Sequence, residues 1–99
     1  LTLPQVVAPL AAYVPAVRTG NLVFTAGQLP FVDGKLEATG KVGADIAPDA
    51  AKALARVCAL NALAAVDSLV GLDAVTRVVK VVGFVASAPN FHGQPGVVN

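Results

Sequence analysis

The stretch from Pro48 to Val70, PDAAKALARVCALNALAAVDSLV, constrains the fold more than any other part of the chain. It is rich in alanine, the best helix former, and Gly71 supplies a stop just beyond it. Pro48 suits the first helical turn, where its missing N–H costs nothing, and Asp49 sits by the positive end of the helix dipole. Ala47 stands where a Ser, Thr or Asp would cap the helix, a local weakness. Asp49, Lys52, Arg56 and Asp67 share one face, and Leu54, Cys58, Ala62, Ala65 and Leu69 line the opposite one. Leu60 and Leu63 fall on the charged side, either exposed or touching another segment. Asn61 interrupts the apolar part. A buried amide has to be hydrogen-bonded, so we read Asn61 as tying a neighbouring loop in place, in preference to a substrate contact.

Shorter elements surround this helix. Residues 1–12 have no clean period and read as an extended lead-in. YVPAVR (13–18) and LVFTAG (22–27) flank Gly20-Asn21, both tolerant of positive φ, and read as a hairpin. Leu22, Phe24 and Ala26 would share one face, Val23, Thr25 and Gly27 the other. Asp33-Gly34 is a second turn signal, followed by a short strand. Residues 74–86, AVTRVVKVVGFVA, are β-branched and apolar on both faces from Val78 onward, which predicts a strand covered on both sides. Strand, long helix, strand is a right-handed crossover unit. SAPNFHGQPG reads as a loop, and the final VVN as the start of another element. The order β-β-(β)-α-β predicts an α+β sheet with helices on one face, within a single domain over 1–99.

Composition then asks what covers that sheet. The 99 residues are 56% hydrophobic and 13% charged, against about a quarter charged in average proteins. A domain of this size buries only about 60–65% of its unfolded surface. Either the core is an ordinary one or, as we expect, apolar surface is buried against other copies or against sequence absent here. A net charge of +1, with charges scattered singly, gives no footprint for nucleic acid or an anionic membrane. Pro4, Pro9 and Pro15 break the uncharged N-terminal stretch, so no spanning helix is expected there. No secretory signal is visible, and cytoplasm is the default expectation.

Few residues offer chemistry. One His and one Cys, far apart, make no metal site. Gly40 and Gly43 lack phosphate-loop spacing. Cys58 reads as a small buried hydrophobe. His92 lies in a Gly/Pro loop, as a surface residue or a pocket residue. Tyr13 is either a core ring with its hydroxyl at the edge or part of a pocket. In TAGQLP (25–30), Gln28 follows Gly27 at a strand end, a usual place for sites on sheets.

The ordered strings AYVPAVRTGNLVFTAGQLP, GKLEATGKVGADI, ALNALAAVDSLVGLDAVTRVVKVVGFVASAPNF and QPGVVN resemble the RidA family, also called YjgF or endoribonuclease L-PSP. The resemblance runs from about Tyr13 to Asn99 and is similar to a branch carrying GQPGVVN before its second helix. It implies a chorismate-mutase-like mixed sheet with two helices on one face. It also implies a homotrimer with a pocket in each subunit cleft, and hydrolysis of enamines and imines to 2-keto acids and ammonia without metal or cofactor. The partner would be a small carboxylate-bearing imine or keto acid, with no nucleic acid and no membrane. By the resemblance, Tyr13, Gly27, Gln28 and Asn99 are substrate-binding, and Ala26 stands where the family has a pocket Ser. The family's late Arg, in an Ala-Arg-Ser triplet, and late Glu have no counterpart here. Arg18, Arg56 and Arg77 do not stand at the matching place. The expectation is therefore a domain truncated at its C-terminus, lacking the second helix and last strands, with its catalytic residues after Asn99.

Overall fold

A computed structural model describes residues 2–99. β1 (Ala16–Thr19) and β2 (Leu22–Thr25) form an antiparallel hairpin in which Thr19 pairs with Leu22, so Gly20 and Asn21 are its two-residue turn. Only Gly20 of the two takes a positive φ, 58°. The hairpin is shorter than the sequence predicts, and Pro15 explains why. The Ala26 N–H still reaches the Pro15 carbonyl at 2.8 Å, but Pro15 has no N–H to return, so regular pairing stops there. β3 (Phe31–Val32) and β4 (Lys35–Leu36) pair around Asp33-Gly34, whose φ values of 52° and 79° are those of a primed turn.

The helix α1 spans Pro48–Val70, as its sequence predicts. Ala47 makes no side-chain cap, and Gly71 at φ 78° ends the helix with its N–H on the Asp67 carbonyl at 2.9 Å. The Asp67 carboxylate also accepts the Leu72 N–H at 3.0 Å, leading into a 3-10 turn at Leu72–Ala74. By length and composition alone α1 could cross a membrane, but it packs against β1, β2, β3 and a short second helix, α2 (Gln94–Val98). Its buried positions are Ala51, Asn61, Ala64 and Ala65. Leu54, Cys58 and Ala62 are half-buried beside them, whereas Leu69, expected on the same face, is exposed in the last turn. The contact face is thus built of small side chains around one amide, which lets the strands approach the helix axis closely.

Burial holds the Cys58 thiol above its ordinary range, by desolvation and against a smaller opposing effect of a backbone hydrogen bond. Thiolate is the reactive form, so labelling of Cys58 by a disulfide reagent should be slow at neutral pH and should accelerate only as the solution becomes alkaline. The time course of thionitrobenzoate release checks this.

A second cluster pins the ends of the crossover. Val42, Ala51 and Val97 are buried together, with Ile46, Ala55, Val85 and Phe91 packed on them. Val42 lies before α1 and Ser87 after it, and the two form a parallel bridge. The Val42 N–H donates to Ala86 O and its carbonyl accepts from the Ala88 N–H, both at 2.9 Å. Gln94 fastens α2 from the side, donating to Ser87 Oγ at 2.9 Å and to Phe91 O at 2.8 Å.

The α+β class expected from the sequence is what forms, but three of its parts differ, the first being that the two hairpins make separate two-stranded sheets and not one sheet. Residues 74–86 form no strand; the parallel pairing of the crossover is confined to Val42 and Ser87. β-branched residues favour an extended backbone, but a ladder needs a neighbouring strand, and none lies beside this segment among the described residues. Its apolar side chains are correspondingly exposed, Val81 at 81% and Phe84 at 94%. The C-terminal loop is also shorter than expected. Gln94, Pro95 and Gly96 belong to α2, with the proline in the first turn where it is tolerated.

Candidate functional site

The register of the first hairpin decides which residues meet. Ala16, Arg18, Val23 and Thr25 share one face of β1–β2, and Val17, Leu22 and Phe24 share the other. Val23 is half-buried, so its face is the one turned to the rest of the chain; Val17, Leu22 and Phe24 are exposed. Beyond Thr25 the chain bends through Gly27 and Pro30 and forms the wall of a cleft lined by Val7, Leu10, Tyr13, Pro15, Gly27, Gln28, Leu29 and Phe31. Its volume is about 40 Å³, room for on the order of three water-sized groups.

Tyr13, Gly27 and Gln28, singled out from the sequence, therefore line one cavity. A Cβ at Gly27 would meet nothing within 4 Å, so the glycine leaves its backbone open to approach. The Gln28 amide is held only by a long 3.5 Å hydrogen bond to the Ala26 carbonyl, and its carbamoyl oxygen has no protein partner among the described residues. It is free to donate and accept. Asn99 lies elsewhere, in a second, more open groove of about 370 Å³ with Lys52, Arg56, Val97 and Val98. His92 is exposed and lines neither cavity.

Among the lining residues that sequence reasoning did not single out are Val7 and Leu10. They come from the lead-in, which folds back because the Leu10 N–H donates to the Tyr13 hydroxyl at 3.2 Å and the Tyr13 N–H to Ala11 O at 2.9 Å. No periodicity marks them; Pro9, four residues before the single tyrosine, was the available signal. Asn61 holds the opposite wall. It is 1% exposed, and its Nδ2 donates to Leu29 O and to Phe31 O, both at 3.1 Å. Both partners are carbonyls, which fixes the orientation of the amide. The loop tether read from the sequence is this pair of bonds.

Most residues that line the cleft are apolar, but polar groups of Tyr13, Gln28 and the backbone make its lining a mixed one. It could seat a small organic group and orient a polar head. Among the described residues no cluster of His, Cys, Asp or Glu could hold a metal.

A family model described as endoribonuclease L-PSP matches residues 4–99. Protein TCP17 of Trypanosoma cruzi is 39% identical over 100 residues, covering all of this chain and 62% of that protein. The crystal structure of Atu1372, a protein of unknown function from Agrobacterium tumefaciens, matches all of this chain and 60% of its own with TM-score 0.88 and 42% identity. A candidate endoribonuclease from Shewanella oneidensis MR-1 matches with TM-score 0.79 and 25% identity, over 99% of this chain and 66% of its own. The chain thus spans 60 to 66% of the length of these relatives. With the family model matched almost from end to end and the same fold in both crystal structures, the chain belongs to the endoribonuclease L-PSP (YjgF/RidA) family.

Proposed function

We propose that the whole protein hydrolyses reactive enamines and imines to 2-keto acids and ammonia, in the cytoplasm, at clefts between the subunits of a homotrimer. The observation that carries this reading is the gathering of Tyr13, Gly27 and Gln28 on one small cleft. In the reaction a water adds to the imine carbon, the carbinolamine collapses, and ammonia leaves as the carbonyl forms. A phenol and an amide would orient the substrate for the attacking water. The cleft as this chain forms it is too small for a whole substrate, so a second wall has to come from another subunit or from further sequence. The uncovered face of β1–β2, with Val17, Leu22 and Phe24 exposed, supports burial against other copies. The carboxylate-binding Arg and the water-orienting Glu would lie beyond Asn99, and no cofactor is required.

Generating 2-aminoacrylate in the presence of the full-length protein tests the proposal. Ammonia and pyruvate should appear faster than in buffer; no acceleration where an active family member accelerates removes the enzymatic reading. Ala26 in place of a pocket Ser favours one alternative, a trimer that binds a small carboxylate without turnover. In that case pyruvate binds and ammonia release is unchanged. The family description also raises cleavage of RNA. A net charge of +1 with dispersed basic residues supplies little phosphate attraction, so salt-sensitive RNA binding is not expected.

A further inference from the structure

We infer that Asn61 is a positioning residue of the cleft: from inside α1, its one amide nitrogen holds the carbonyls of Leu29 and Phe31 on either side of Pro30, and so sets where Gln28 and Leu29 stand. The substrate-binding consequence rests on the function proposed above; the positioning itself does not.

The wall needs such a clasp because Pro30 breaks it. Pro30 has no N–H, so the backbone on either side of it is one donor short. The Phe31 N–H turns back to Leu29 O at 2.8 Å, closing a three-residue turn about the proline. The Glu37 N–H takes Pro30 O at 3.2 Å. With that bond in place, the alternation of an antiparallel pair puts Phe31 opposite Leu36 at a non-bonded position, its carbonyl facing away from β4. Asn61 supplies the donor that β4 does not, and spends its second proton on Leu29 O. Leu29 and Phe31 both line the cleft, and Gln28 adjoins them. Asn61 itself does not line it. Packing alone gives no reason for an amide here, because an apolar side chain would bury more favourably and suit the helix better. Two carbonyls aimed at one nitrogen give that reason.

The test uses Asn61→Asp, which keeps the shape and removes both N–H donors. An aspartate facing two carbonyl oxygens in a buried site has its pKa raised, so as pH falls it protonates and regains one O–H donor. Hydrogen–deuterium exchange by mass spectrometry compares the variant with the wild-type full-length protein at each pH. At about pH 7.5, exchange over residues 27–32 should rise about tenfold, while the hairpin 16–25 and the helix 48–70 stay near wild type. The excess should shrink toward about pH 5. An unchanged 27–32, a uniform rise over all three segments, or an excess independent of pH each overturns the inference. If the variant does not fold, the wild-type protein decides by nuclear magnetic resonance. Slow exchange of both Asn61 side-chain amide protons supports the clasp, and rapid exchange of either overturns it. Pyruvate titration is the ligand arm, and its affinity should fall about tenfold in the variant at neutral pH and recover with acid. Ammonia release by the full-length wild type decides the proposed function, while the exchange pattern independently decides the positioning role.

Discussion

Gly40→Ala should destabilise the protein by about 3 kcal/mol, the sum of backbone strain, a steric displacement and a lost hydrogen bond. Gly40 has a φ of 135°, a region that L side chains rarely adopt. A Cβ there would lie 2.5 Å from Asp45 Cβ and 3.1 Å from its Oδ2. Asp45 Cβ is fixed to the backbone and has no rotamer by which to withdraw. Asp45 is also held from both ends: its Oδ2 accepts the Lys41 N–H at 3.0 Å, and its own N–H donates to Lys41 O at 2.8 Å. Moving it opens the tight turn from Lys41 to Ile46, and with it the Val42 bridge that pins the crossover. Urea unfolding of the variant and the wild type should show a lower midpoint at similar slope. A midpoint shift below a third of the expected size would mean that the turn is not part of the cooperative unit.

Gln28→Leu should weaken binding of a small keto acid by roughly 10–100-fold, the value of a hydrogen bond to a charged or strongly polar ligand group. Leucine preserves much of the volume and removes both the donor and the acceptor. The wild-type amide has little to lose inside the protein, since among the described residues its side chain makes just the 3.5 Å contact to Ala26 O. Stability should therefore change by less than about 1 kcal/mol while affinity falls. That contrast separates a ligand-facing amide from a structural one. Calorimetric titration of pyruvate into full-length protein reads the affinity, and equal affinities in the two proteins would take Gln28 out of the site.

What could be read from the sequence was local. The limits of α1 follow from Pro48, the alanines and Gly71, each acting within a turn of itself. Asp33-Gly34 makes its turn by the conformational tolerance of those two residues alone. The residues lost to sequence reading depend on distant partners. The valines from 75 to 82 have strand propensity, but a strand exists only where another lies alongside, and propensity says nothing about that. Val7 and Leu10 reach the cleft because one hydroxyl, on Tyr13, catches a backbone N–H in an otherwise unpatterned lead-in. Asn61 was recognisable as a tether, since a buried amide must bond to something, yet which loop it held could not be read from the helix. Of the positions suggested by family resemblance, Tyr13, Gly27 and Gln28 come together around one bend, whereas Asn99 follows α2 to another part of the chain.

The clasp at Asn61 joins residues 30 and 32 positions apart in the chain. Closing so long a loop costs entropy that local contacts must first offset, so the helix and both hairpins can form before the bend around Pro30 is fixed. The cleft wall around Pro30 is then ordered after those local elements as the chain folds.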